Sequence, residues 1–250
     1  MNKLFILLIG TFYTLSIHAQ QVEYKSFAEE GKVWNMVYNN PEAEDTCPSF
    51  EFCYFMKGDT LISGWECKKM YVYNIDNHKT TEYEMAVYET DRKVFFIPKD
   101  TRDVYKLYDF SIPVGNVIEV TDAIHPEWKI KMRNNEERDV ITDNISRRCL
   151  HVNRTGTSDE DYASGWWIEG IGSELGPLNT WSFEAMGNSC FLTSCEIDGQ
   201  KVLTMVDFKK EIDKSTLTEV KNISNVKTPA PTKVHDLSGR RTTHPEIGRA

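Results

Sequence analysis

The sequence predicts an all-β protein, an antiparallel meander of about eleven strands forming one strongly curved or barrel-like sheet. Three observations point there. Apolar residues recur with a period of two, turn-forming residues interrupt them at short intervals, and helix signals are few. A meander that long either curls or splits, so a two-sheet sandwich is the alternative.

The first residues stand apart. Lys3 supplies a positive start, an apolar stretch opens at Leu4 and runs to Ile17, and Ala19 is the small residue a signal peptidase requires before its cut. A spanning helix needs about 20 apolar residues, and Thr11, Thr14 and Ser16 interrupt this one. Residues 1–20 are therefore expected to be a cleaved signal peptide, leaving no transmembrane segment in the mature chain. No cysteine follows the apolar run, so a lipid anchor is not expected.

The body, residues 21–210, is read strand by strand. Trp34–Tyr38 opens it. Glu51–Lys57 and Thr60–Gly64 read as a hairpin turning at Gly58-Asp59, whose residues tolerate positive φ. Met70–Tyr73 follows. In Glu82–Val87, Tyr83, Met85 and Val87 fall on one side, and the chain turns over Thr90–Lys93 to return as Val94–Ile97. Val104–Phe110 and Val117–Val120 are short apolar strands. Trp128–Arg133 alternates most cleanly, with Trp128, Ile130 and Met132 on one face and three cations on the other. Arg147–Val152 comes next.

Asp198-Gly199 separates strands Cys190–Ile197 and Gln200–Val206. Counting from a two-residue turn sets Glu196 against Lys201, Thr193 against Thr204 and Leu192 against Met205. Beyond lies a linker over 211–233, rich in Asn, Ser and Pro from Lys221 onward, and then a tail over 234–250 for which disorder is expected.

Charge and cysteines narrow the function. A net charge of −9 argues against nucleic acid, whose phosphates demand a basic stripe. Cys47, Cys53, Cys67, Cys149, Cys190 and Cys195 form an even set in an oxidising compartment, which invites disulfides without fixing their pairing. Cys190 and Cys195 are excluded as partners of each other. Five strand steps separate them by roughly 17 Å, against the roughly 7 Å a disulfide tolerates. No C-x-x-C pair or H-x-x-x-H spacing suggests a metal, and nothing calls for a cofactor.

The segment Gly165–Pro177 is the best place to look for a ligand. Its glycines lack the G-K-[ST] ending of a phosphate loop. Glu169 and Glu174 could be a glycosidase carboxylate pair, with Trp166 and Trp167 as a sugar platform. The structural alternative is that one tryptophan plugs the core, the other covers the rim, and the glycines allow a sharp turn. The ligand-binding candidates are thus Trp166, Trp167, Glu169 and Glu174, with Asp109 a further acid. His151 alternates with Cys149, but two residues on one strand project side by side, and no Ser-His-Asp pattern or G-x-S-x-G is present.

Three stretches carry a resemblance. Gly58-Asp59-Thr60 with Ile62, Gly64, Cys67, Lys69 and Tyr71 resembles G-D-T-x-I-x-G-x-x-C-x-K-x-Y. Leu107-Tyr108-Asp109-Phe110 with Val114-Gly115 resembles L-Y-D-F followed by V-G-D, with Asn116 in the aspartate's place. Trp167-Ile168-Glu169-Gly170-Ile171-Gly172-Ser173 resembles W-x-E-G-I-G-S. Their order is similar to that in a group of uncharacterised secreted β-rich proteins of Bacteroidetes-type bacteria, over Glu23 to Asp207. The tail from Lys233 to Arg241 is similar to a type IX secretion sorting segment, without the terminal strand such segments continue into. The resemblance implies location and fold. Together these features predict a non-catalytic envelope or surface module for a glycan, peptide or lipid. The alternatives are a carbohydrate-active hydrolase using Glu169 and a periplasmic carrier of a hydrophobic ligand.

Overall fold

The structure, a computed structural model, describes residues 23–39, 50–74, 80–156, 164–181 and 189–224. The expected signal peptide over 1–20, the expected sorting-like tail over 234–250 and Cys47 lie outside the described residues. By its contacts the chain divides into Met1–Phe208 and Lys209–Ala250.

The first unit is antiparallel β, and its strands form two strongly curved sheets rather than one. Strands β1 (Lys32–Asn39), β2 (Phe50–Ile62), β3 (Trp65–Asn74), β4 (Thr81–Thr90), β5 (Lys93–Pro98) and β6 (Tyr105–Asp109) follow one another as a meander. β12 (Ser189–Ile197) and β13 (Gln200–Thr204) return to complete this eight-stranded sheet on the free side of β1. The five-stranded sheet is a second meander: β7 (Val117–Thr121), β8 (Lys129–Thr142), β9 (Ile145–Arg154), β10 (Ser164–Ile168) and β11 (Gly172–Ser173). Helix α1, Met205–Ser224, follows β13 directly and occupies positions whose composition suggests a strand end and a linker.

Two-residue turns with positive φ at both positions set several registers. Ser63-Gly64, Asp91-Arg92, Asp143-Asn144 and Asp198-Gly199 all have this form, whose twist matches that of the flanking strands. Gly58-Asp59, expected as a turn, lies inside β2 instead. Met56 pairs with Met70 and Asp59 with Lys68, so β2 carries one extra residue and Gly58, at φ +78°, forms a bulge. The Glu30 carboxylate accepts the Gly58 amide at 3.0 Å, which satisfies the donor that the bulge frees.

Bulges and element ends also correct four side-chain placements. In β4, Tyr83 pairs with Tyr71 but Met85 pairs with Met70, so Glu84 is the extra residue and Tyr83 faces away from Met85 and Val87. In the last hairpin Glu196 does oppose Lys201, but a shift at Cys195 sets Ser194, not Thr193, against Thr204. Met205 has already entered α1, so it has no strand partner at Leu192. Trp128 precedes β8, is 47% exposed, and stacks on His125 at 4.3 Å, while Ile130 and Met132 are buried as alternation requires.

Trp34, Met36, Met56 and Met70 of the large sheet, Trp167 and Ile168 of the small one, and Phe27, Phe96, Tyr108 and Phe110 are buried in the core. Among the described cysteines all five are free thiols, including Cys190 and Cys195. No helix among the described residues is long and apolar enough to cross a membrane.

Candidate functional site

Strand β10, the loop that joins it to β11 and the residues just beyond hold the sequence-predicted site. Trp167 pairs with Leu150 and points inward, where it is fully buried. Its indole N–H donates to the Thr180 carbonyl at 2.9 Å, and Tyr108 meets it edge-on at 5.1 Å. Trp166 pairs with His151 on the other face and is half-buried, 5.0 Å from the imidazole and 5.7 Å from the Arg138 guanidinium.

The two carboxylates do different work. Glu174 accepts the Trp166 amide at 2.9 Å and so ties the loop back to β10. Glu169 is 1% exposed. It accepts the Lys25 amide at 3.1 Å and meets the Arg92 guanidinium at 3.4 Å. Burial raises its carboxyl above the ordinary value, against the pull of the Lys25 amide and of Arg92, Arg148 and Arg147. Asp109 is likewise buried and accepts the Ser111 amide at 3.0 Å.

A strap unrecognised in the sequence, residues 24–32, explains where Glu169 points. Tyr24 donates to Glu89 at 3.0 Å, the Phe27 amide donates to the same carboxylate at 2.9 Å, and Ser26 also bonds it. Lys32, buried to 1% exposure, donates to the carbonyls of Gly170, Phe27 and Ser26 and pairs with Glu29 at 3.3 Å. The strap carries backbone polar groups into a dry interior, and Glu89, Glu169 and Lys32 satisfy them. Nothing in its sequence repeats at period two, which is why alternation misses it.

The glycines serve close approach. A Cβ on Gly170, at φ +77°, would meet Lys25 at 2.9 Å. One on Gly172, at φ +106°, would crowd Phe27, Pro177 and the Tyr108 hydroxyl. That hydroxyl donates to the Pro177 carbonyl at 3.0 Å and accepts the Ser173 amide at 3.2 Å. The Trp34 indole closes the loop by donating to the Ile171 carbonyl at 2.8 Å.

Two concavities lie on the large sheet, away from this loop. One, of about 700 Å³, is lined by Asp59, Leu61, Glu66, Lys68, Tyr88 and Glu89, among others. Its cation is already paired, Lys68 with Asp59 and Glu30. The other, of about 370 Å³, is a groove lined by Tyr38, Phe50, Phe52, Val72, Asn74 and Glu82, among others. Cross-strand pairing places these on the core-facing side, since Trp34, Tyr54, Val72 and Glu82 form one row and Met36, Phe52 and Asn74 the next. The rings touch in sequence: Tyr38 stacks on Phe50 at 5.0 Å, Phe50 meets Phe52 at 5.8 Å, and Phe52 meets Tyr54 at 5.5 Å. The spacing Phe50-x-Phe52-x-Tyr54 is the sequence signal for this aromatic face.

No family model and no curated protein matches the chain. Among solved structures, a putative lipoprotein from Parabacteroides distasonis aligns with 71% of this chain and 100% of its own, at 9% identity and a TM-score of 0.31.

Proposed function

We propose that this chain is an exported envelope or surface module that binds or scaffolds rather than catalyses, and that it presents aromatic side chains to a glycan, peptide or lipid. The observation that carries this is the aromatic groove on the large sheet, built from Tyr38, Phe50 and Phe52. Export is supported by the leader-like pattern of Met1–Gln20 and by the resemblance to secreted Bacteroidetes-type proteins; the compartment would be periplasm, cell surface or medium.

The two alternatives find less support. A hydrolase needs carboxyl groups that reach substrate, one of them placed to donate a proton. Glu169 is 1% exposed and engaged by a backbone amide and Arg92. A hydrophobic-ligand carrier needs a hollow interior, and Trp34, Trp167, Tyr108 and Phe27 fill the space between the sheets.

The test is a panel of chromogenic glycosides and peptides, with thermal shift on oligosaccharides, peptides and lipid headgroups as the binding arm. Expected is a stabilising shift with one class and no turnover. Turnover that Glu169→Gln abolishes would overturn the proposal.

A further inference from the structure

The groove's wall carries negative charge as well as rings. Glu82, exposed, lines it beside Val72. The β4 bulge adds Glu84, half-buried, as the residue without a cross-strand partner. Burial raises the Glu84 carboxyl first, Glu82 raises it further, and Lys99 opposes them. Glu82 thus sets a negative charge at the edge of an aromatic face. A bound cation would answer both the charge and the rings. Aromatic faces attract cations through their ring quadrupole, and Tyr38, Phe50, Phe52 and Tyr54 offer them side by side. Among the described residues that line this groove none is cationic, in contrast to the larger cavity, where Lys68 is already present.

We infer that this groove binds an organic cation, an ammonium or guanidinium group on a short apolar stem, between the rings of Tyr38 and Phe50 and the carboxylate of Glu82. The volume of about 370 Å³ suits a group of that size rather than a folded partner. The inference rests on the binding-module reading and names its ligand class.

The test titrates the purified full chain with choline, with its uncharged isostere 3,3-dimethylbutan-1-ol, and with the N-acetyl methylamides of lysine and arginine. Aromatic NMR signals report binding. Expected is binding of at least one cation with the isostere about tenfold weaker, and a similar loss in Glu82→Gln. Phe50→Leu, which keeps apolar bulk, should weaken the cation and not the isostere. Glu66→Gln, in the larger cavity, should change nothing. Preference for choline would point to a headgroup, and preference for the amino-acid amides to a basic peptide; either supports the inference. Equal affinity for choline and its isostere, unchanged binding in Glu82→Gln, or no binding of any probe would overturn it. Equal binding that Phe50→Leu weakens would leave the binding-module reading standing, whereas turnover of substrates would remove that reading as well.

Discussion

At the scale of single residues, the buried polar groups make the sharpest claims. The Tyr108 hydroxyl serves as donor and acceptor at once within the core. Tyr108→Phe strands the Ser173 amide and the Pro177 carbonyl, and should cost about 1–3 kcal/mol in denaturant unfolding. Glu169 gives a pH signature. Its carboxyl is raised in the folded state, so the folded protein holds that proton more tightly than the unfolded chain does. Its contribution to stability is therefore full below the ordinary value of 4.5 and is lost as pH rises through the raised value. Thermal melts of the native protein against Glu169→Gln across that interval should converge or cross in this sense, and a difference independent of pH would refute the assignment. Glu169 and Trp167 could be singled out from sequence because glycines and paired tryptophans are unusual neighbours. Their surroundings could not, since Lys25, Glu89 and Arg92 come from distant strands and a strap with no period.

At the scale of elements, bulges and turns separate what alternation can show from what it cannot. Period two locates strands well: Ile130 and Met132 are buried where expected, and the Asp198-Gly199 turn stands between its strands. It fails at each extra residue, because one inserted position moves every later side chain to the other face. Tyr83, Thr193 and the Gly58 turn are all displaced for this reason. The aromatic face of the groove is legible as Phe50-x-Phe52-x-Tyr54, but its acid, Glu82, comes from β4 and only the cross-strand register sets it beside Val72. Two glycines test the distinction between bulge and close approach. Gly58 has open space around it, so Gly58→Ala meets only backbone strain, about 1–2 kcal/mol. Gly170, at φ +77°, lies against the Lys25 backbone carbonyl and Cβ, so Gly170→Ala adds a clash and should cost about 2–4 kcal/mol. Chemical denaturation of the two variants side by side would check the order; equal losses would contradict it.

At the scale of the whole first unit, the two sheets share one interior. Phe27 of the strap is fully buried, with Trp34 of β1 at 5.3 Å and Tyr108 of β6 at 5.8 Å, and it also lies against Gly172 of β11. Phe27→Ala should cost about 3–5 kcal/mol, and ellipticity and tryptophan fluorescence should lose signal at one shared midpoint. Separate midpoints would mean the sheets unfold independently. The pairing of β1 with β12 has a consequence in time. The first strand of the sheet waits with one edge unsatisfied until a partner about 160 positions later has emerged. During that interval its unpaired amides and carbonyls are a template for any passing extended segment. A chain synthesised from its amino end must therefore keep that ribbon from foreign strands until the penultimate strand arrives, a hazard that the topology itself sets.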